Sequence, residues 1–307
     1  MIEIAKQVEA AHSAALLVAA PELGALVVSG NDRLTWLNGL VTVDLAKCVP
    51  GDAVYGLAVA KSGKILADIV VVVDDARVLV VVPASEASAL RMSLDHYLIM
   101  EDAEIVLSDA FTAFFAHGPR AGEVLAAARA AGAVGGVLDR TGLGGAIILA
   151  ESEVEPPVRA AMSAVLAACG GVEGDGRGWD TLRIERAVPA FGAEFDGATY
   201  PQEAGLEKTA VSFNKGCYLG QEVVCMLEMR GKVKKRIVPL VLDGDAPVRG
   251  AAVTDAGGVS VGEVTSAVWS PTLGRAIALA MVKRQLTEPG SELRVGGAVA
   301  KVVERPA

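Results

Sequence analysis

Cys217 is the residue whose surroundings most strongly suggest chemistry. It lies in segment 214–236, which reads N-K-G-C-Y-L-G-Q-E-V-V-C-M-L-E-M-R-G-K-V-K-K-R. Gly216 and Gly220 bracket it, which predicts a loop with close backbone approach, and Lys215 stands two residues before it. Because exposed amides and a nearby ammonium favour thiolate over thiol, this pattern predicts a reactive thiol. The alternative is an inert one, since cysteine is most often a small buried apolar residue.

Polar and basic side chains follow Cys217 closely. Gln221 and Glu222 offer hydrogen-bond acceptors and a donor that suit a polar heterocycle. Residues 230–236 carry five basic side chains in seven positions, whereas the whole chain has a net charge of −9. The basic run is therefore either a local anion-binding site or a solvated face, and general nucleic-acid binding is disfavoured.

The other potential ligands and nucleophiles predict no further site. The four cysteines form no C-x-x-C pair and no zinc-ligand spacing, so we expect no metal; they are Cys48, Cys169, Cys217 and Cys225. The histidines His12, His96 and His117 are scattered, and each is expected to be a surface residue or a hydrogen-bonded core residue. The G-L-G-G at 142–145 lacks the spacing of a dinucleotide loop and precedes a predicted strand, so it predicts a turn.

The elements that position these residues mix helix and sheet. Short apolar runs predict strands at 25–29, 54–60, 65–73, 78–82, 111–116 and 146–150, and those at 65–73 and 78–82 are mostly β-branched and bounded by short turn signals. Apolar spacings of three and four predict a helix from about 33. Capping, starting and terminating residues predict helices at 85–100, about 120–131, about 157–168 and 179–188. From Arg236 onward short strands and turns continue to the end, which predicts a small all-β domain. The fold class is therefore α+β.

Composition limits the broad class of protein. The 307 residues are 52% hydrophobic and 21% charged, which excludes a disordered or coiled-coil chain and predicts two or three domains. The N-terminal stretch M-I-E-I-A-K-Q-V-E lacks the basic start of a secretory signal. No uncharged apolar run reaches the roughly 18 residues of a membrane span. We therefore expect a cytoplasmic protein without membrane or nucleic-acid partners.

The octapeptide K-G-C-Y-L-G-Q-E at 215–222 resembles the signature K-G-C-[FY]-x-G-Q-E of the YgfZ-type folate-binding proteins. These belong to the T-protein (glycine-cleavage aminomethyltransferase) superfamily. Further likenesses follow in the family's order, at 29–33, 36–44, 62–68, 183–185, 189–192, 201–206, 262–266 and 270–274. The chain is identified by them as a member of the superfamily.

The resemblance implies a three-lobed, T-protein-like arrangement. Two mixed α/β lobes and a C-terminal β-barrel would surround a central channel that binds tetrahydrofolate or a one-carbon derivative. On this basis residues 1–109 with 179–235 form the α+β region carrying the folate site, 110–178 form a ferredoxin-like lobe, and 236–307 form the barrel.

The resemblance also implies roles for individual residues. Asp68 matches by position the acidic residue near the reactive folate nitrogen, and it joins Cys217 as a catalytic candidate. The expected folate contacts are Asp68, Lys215, Tyr218, Gln221, Glu222, Arg230 and Lys232. The basic residues among them would meet the anionic glutamate tail.

The implied function is that of a tetrahydrofolate-binding accessory protein for iron–sulfur cluster assembly or repair, acting on client or assembly proteins. The alternative is a folate-dependent aminomethyltransferase or demethylase, and a purely structural binding module is a third interpretation. Cys225-Met226 replaces the Ala-Arg that usually follows G-Q-E-x-V in the family. The missing arginine removes one forked cationic donor, which Arg230 or Lys232 would have to replace.

Overall fold

The computed structural model describes residues 2–231 and 233–307. The strands are β1 Leu16–Ala19, β2 Leu23–Ser29, β3 Ala53–Val59, β4 Ile65–Val73, β5 Val78–Pro83, β6 Glu104–Ser108, β7 Phe111–His117, β8 Val134–Val137, β9 Gly145–Glu151, β10 Val172–Gly174, β11 Lys235–Leu242, β12 Ala252–Thr254, β13 Ser260–Ser270, β14 Arg275–Lys283, β15 Glu292–Val295 and β16 Ala298–Val302. The helices are α1 Ile2–Ser13, α2 Arg33–Asn38, α3 Ala84–Asp95, α4 Ala121–Ala130, α5 Glu155–Cys169, α6 Gly176–Glu185, α7 Pro201–Ala204 and α8 Gln221–Arg230, with a 3-10 turn at Arg284–Leu286.

The first lobe is an antiparallel sheet in the order β3-β4-β5-β2-β6. Its central strands β4 and β5 are unbroken valine-rich runs, and both of their faces are buried. One face packs against α2 and α3 through residues such as Val71, Leu37 and Leu90. The opposite face packs on the second lobe, where Val72 and Ile147 share one apolar cluster. The expectation of strands covered on both faces is confirmed.

The second lobe is a five-stranded sheet in the order β10-β1-β7-β9-β8, with α4 and α5 packed on its outer face. From β7 to β10 the chain runs β-α-β-β-α-β, which is the ferredoxin-like connection, and β1 is inserted between its first and last strands. The domain boundary predicted for the N-terminus therefore needs correction. Strand β1 belongs to the second lobe, because its apolar residues pair with β7 and β10.

The third lobe is a closed six-stranded barrel in the order β11-β14-β13-β12-β15-β16. A buried ion pair ties it to the rest of the chain: Arg183 of α6 donates to Glu194 at 2.8 Å and to Ser266 of β13 at 3.2 Å. The C-terminal β-barrel of the predicted fold class is confirmed, and its first strand begins at Lys235. No helix in the described parts of the chain is long and apolar enough to cross a membrane.

Helices α3 and α6 differ from their predicted bounds, and α8 is absent from the sequence prediction. Helix α6 spans Gly176–Glu185 instead of 179–188. Helix α3 ends at Asp95 instead of near Met100. Helix α8 occupies Gln221–Arg230, where the sequence pattern indicated only a loop and a basic run. Its apolar side is narrow and buries only Val224 fully, so helical periodicity gives little signal there.

Candidate functional site

Two neighbouring cavities lie where the two sheets meet segment 186–214. The inner cavity, of about 260 Å³, is lined by Asp68 of β4 and by aromatic side chains of the second lobe. The outer cavity, of about 840 Å³, extends from it toward the C-terminal residues. Both are bordered by the same four residues, which are Tyr55, Leu138, Arg140 and Pro189. The two cavities therefore lie on either side of these four residues.

Asp68 is the one expected site residue that lines the inner cavity within the described chain. It lies on β4 opposite Leu57 of β3, and the Tyr55 hydroxyl donates a 3.2 Å hydrogen bond to its Oδ2. Burial raises the pKa of Asp68 above its ordinary value, while the Arg140 charge and the Tyr55 hydroxyl act to lower it. The result is a half-buried carboxyl group that can accept hydrogen bonds and hold a proton.

Arg140 is a site residue that the sequence did not reveal. Its guanidinium lies 3.9 Å from the centroid of the Tyr55 ring and donates to the Pro189 carbonyl at 3.2 Å. The turn that carries it is held by Asp139, whose carboxylate accepts from the amides of Thr141, Gly142 and Gly144. The turn expected at 142–145 is thus present. The residue that this turn places at the site is Arg140, and no motif in the local sequence indicates it.

An aromatic stack forms one wall of the inner cavity. The His117 ring is nearly parallel to two others, with its centroid 6.1 Å from that of Phe115 and 4.4 Å from that of Trp179. His117 is buried, and its Nδ1 has no hydrogen-bond partner among the described residues. The expectation that it is a surface or hydrogen-bonded histidine is therefore wrong. Burial lowers the pKa of His117 to about 3, so the imidazole is neutral.

The Lys215 ammonium lies against backbone carbonyls of the first lobe. It donates to the carbonyls of Asn38 at 2.6 Å, Val41 at 2.9 Å and Val43 at 2.5 Å, in the segment that follows α2. These contacts use all three of its donors. Burial lowers the pKa of Lys215 to about 8. The lysine holds two chain segments together and lines neither cavity.

The rest of the octapeptide is divided between surface and core. Cys217 and Glu222 are exposed, and Gln221 makes a 3.5 Å contact from its side-chain amide to the Gly216 carbonyl. Tyr218 is buried in the apolar cluster that includes Tyr55, and burial raises the pKa of its phenol. None of these octapeptide residues lines the inner or the outer cavity as the structure describes them.

Gly220 explains one feature of the octapeptide. Its φ is +78°, and a Cβ at this position would lie 2.4 Å from the Ala60 carbonyl oxygen. The loop therefore packs closely on the β3–β4 hairpin, as the predicted close backbone approach requires. Gly216 has no positive φ and no atom within 4 Å of the position that a Cβ would take. Of the two bracketing glycines, only Gly220 is therefore required by the backbone conformation and packing.

The described residues of the basic run, 230–231 and 233–236, line neither cavity. Arg230 is exposed at the end of α8, Lys232 lies outside the described residues, and Arg236 pairs with Glu207 at 2.7 Å. The cations that line the outer cavity are instead Arg140, Arg186, Lys208 and Arg305. Burial and the neighbouring Arg305 lower the pKa of Arg186. The outer cavity therefore carries the cations that lie nearest to the inner cavity among the described residues.

Comparison with known proteins identifies the family. Residues 2–133 match the model of the GCVT N-terminal domain, and residues 235–307 match that of the glycine cleavage T-protein C-terminal barrel domain. An aminomethyltransferase of Synechococcus elongatus is 31% identical over 310 residues, covering 92% of this chain and 82% of the relative. The chain belongs to the glycine cleavage T-protein family. An aminomethyltransferase of Streptomyces coelicolor is 29% identical and covers 88% of this chain.

A solved T-protein shares the fold over nearly the whole chain. The crystal structure of glycine cleavage system aminomethyltransferase T from Bartonella henselae superposes with a TM-score of 0.82 at 21% identity. The match covers 99% of this chain and 89% of that one. The T-protein-like arrangement of two mixed α/β lobes and a barrel is therefore confirmed.

Proposed function

We propose that this T-protein family member binds tetrahydrofolate across the two cavities and transfers a one-carbon unit on it, as an aminomethyltransferase. The observation that carries the proposal is the Asp68 carboxyl group, held by Tyr55 inside an aromatic-walled cavity. A flat heterocycle requires apolar walls with a few convergent polar groups, and the inner cavity offers both. Relatives named aminomethyltransferase, up to 31% identical, support this reaction over the cluster-assembly role.

The residues of the chain fit the group. The inner cavity, of about 260 Å³, suits one ring system, and the outer cavity has room and cations for an anionic tail. When bound, tetrahydrofolate supplies a nitrogen that carries the one-carbon unit. Asp68 accepts a hydrogen bond from an N–H of the ligand and can hold its proton. Tyr55 and Arg140 fix and partly neutralise that carboxylate, and the surrounding rings limit access of water.

Calorimetric titration with tetrahydrofolate tests the proposal. The wild type should bind saturably, and Asp68→Asn, which keeps the shape but removes the charge, should bind at least about tenfold more weakly. Asp75→Asn is the matched control, because Asp75 is exposed in the turn between β4 and β5. Absence of saturable binding to the wild type, or equal binding by Asp68→Asn, would contradict the proposal.

A second candidate function is iron–sulfur cluster maintenance, with the cluster or its client protein as substrate. The observation that favours it is the exposed Cys217 within an octapeptide of YgfZ type. The discriminating experiment complements a deletion strain with Cys217→Ser or Asp68→Asn and measures several iron–sulfur enzymes. Cluster maintenance predicts that Cys217→Ser lowers several activities together. If the protein is an aminomethyltransferase, Cys217→Ser should complement the deletion strain. Asp68→Asn should then fail to complement it, and the defect should be confined to one pathway.

A further inference from the structure

We propose that strand β6, at the edge of the first sheet, binds an extended segment of a partner protein as a sixth strand. The segment carries two apolar residues at its centre and one basic residue at each end. This interaction is separate from the folate site, because no residue of 104–108 lines the inner or the outer cavity. It does not depend on the binding of tetrahydrofolate.

Strand β6 has a strand neighbour on one side only. Its residues Glu104–Ser108 pair with β2 in an unshifted antiparallel register. Outside that ladder, no backbone group of 104–108 forms a hydrogen bond with another backbone group of the described chain. The opposite edge of the sheet differs, because the Thr42 amide donates to the Leu57 carbonyl of β3 at 3.0 Å. Strand β6 therefore presents free N–H and C=O groups that a further strand can pair.

The edge is apolar on both faces of the sheet. Val106 and Leu107 point to opposite faces, since successive side chains of a strand alternate, and they are 42% and 48% exposed. In the connection from α3, Ile99 and Met100 are 82% and 92% exposed. Edge strands of soluble proteins are usually protected by a lysine, a proline or a bulge, and β6 has none of these. A partner strand would cover both Val106 and Leu107.

The charges beside this apolar centre are acidic. Glu104 lies two residues before Val106 and shares its face, and Asp109 lies two residues after Leu107 and continues the alternation on the other face. Both side chains are exposed, and neither forms an ion pair within the described residues. Segment 99–110 contains no basic residue. A partner with positive charges at both ends would therefore be attracted to this edge.

These positions define the sequence that fits. Residues directly opposite one another on neighbouring strands have Cβ atoms about 4.5–5.5 Å apart, so their side chains interact. A partner strand would place apolar residues opposite Val106 and Leu107, and basic residues opposite Glu104 and Asp109. The resulting pattern is basic-x-apolar-apolar-x-basic. Because it is symmetric, it is the same for a parallel and an antiparallel partner strand.

A second copy of this chain fits the edge less well. Two β6 strands paired antiparallel about Val106 would bring the acidic ends of both strands together, with no base in segment 99–110 to offset them. Like charges brought together across a strand pair are destabilising. No six-residue segment of this chain has the basic-x-apolar-apolar-x-basic pattern. The charges therefore favour a different protein as the partner.

A synthetic peptide tests the strand addition. The probe is fluorescein-labelled Lys-Thr-Val-Val-Thr-Lys, and the matched control peptide is Glu-Thr-Val-Val-Thr-Glu. Fluorescence anisotropy at low ionic strength should show saturable binding of the basic peptide to the 307-residue protein and at least about tenfold weaker binding of the acidic one. Hydrogen exchange of the amides of 104–108 should slow when the basic peptide is bound.

Reversing the charges on the protein gives a second readout. Glu104→Lys/Asp109→Lys should invert the preference, so that the acidic peptide binds at least about tenfold more tightly than the basic one. Both positions are exposed, so the fold should be retained. Glu9→Lys/Asp245→Lys is the matched control, because it changes the net charge equally at exposed positions outside the first lobe. It should keep the wild-type preference.

Three results would overturn the strand addition. They are a wild type that does not bind the basic peptide, binding that leaves exchange at 104–108 unchanged, and a Glu104→Lys/Asp109→Lys variant with the same preference as its control. Sedimentation of the wild type without peptide tests the competing occupant. A dimer that Val106→Lys dissociates would assign the edge to a second copy of this chain and would likewise contradict the proposal.

Discussion

Replacing Lys215 by methionine should destabilise the fold while leaving the ligand site intact. The substitution keeps the apolar stem but removes the ammonium that joins the octapeptide loop to the segment following α2. Three carbonyl oxygens, of Asn38, Val41 and Val43, lie 2.5–2.9 Å from its Nζ and would lose this donor. The octapeptide lysine thus acts on stability, whereas its place in the motif had indicated a folate contact.

The magnitude follows from two opposing contributions. Each buried acceptor left without a donor costs about 1 kcal/mol, so three cost about 3 kcal/mol. Removing the ammonium recovers part of that cost, because burial disfavours its charged form and lowers the pKa of Lys215 to about 8. We expect Lys215→Met to lower the free energy of unfolding by about 2 kcal/mol.

Urea unfolding at pH 7 measures this loss. Lys234→Met is the matched control, because Lys234 is exposed and its side chain makes no hydrogen bond within the described residues; it should change the free energy of unfolding by less than about 0.5 kcal/mol. The folded Lys215→Met variant should bind tetrahydrofolate within about twofold of the wild type. Unchanged stability together with a tenfold loss of affinity would refute the reasoning and make Lys215 a ligand contact.

Three further substitutions test the electrostatics. Tyr55→Phe removes the hydroxyl that stabilises the Asp68 carboxylate, so the pKa of Asp68 should rise further, and a carboxyl ¹³C titration should show a higher midpoint than in the wild type. Because unfolding frees His117 to bind a proton, wild-type stability should fall relative to His117→Phe as pH drops from 6.5 toward 4, by at most about 1.4 kcal/mol per pH unit in urea unfolding. Arg183→Met leaves the fully buried Glu194 carboxylate unpaired and should cost about 3–5 kcal/mol in the same assay.

Much of the fold could be predicted from the sequence because its strands are strongly patterned. The valine-rich runs at 65–73 and 78–82 are buried on both faces, and such runs with short turns between them indicate a covered antiparallel sheet. Strand β1 could not be assigned to its sheet, because Leu16–Ala19 pairs with β7 and β10, which lie about a hundred or more residues further along the chain. Local pattern carries no information on such pairing.

The candidate site was only partly predictable, because its residues come from distant parts of the chain. Asp68 was identified through the resemblance, and the structure places it in the inner cavity. Arg140 and His117 come from the second lobe, and nothing in their local sequence distinguishes them from a turn arginine and a strand-end histidine. The octapeptide drew attention through its unusual composition, yet Lys215 and Gly220 are explained by loop packing. Unusual local composition thus marks structural constraint as readily as it marks chemistry.

The central claim is that tetrahydrofolate binds in the inner cavity against Asp68. A crystal structure of the protein soaked with tetrahydrofolate measures this directly. The account predicts ring density between Asp68 and His117, within hydrogen-bond distance of the Asp68 carboxylate, and a tail extending past Arg140 into the outer cavity. Ligand density beside the exposed Cys217 loop, with the inner cavity holding only water, would contradict it.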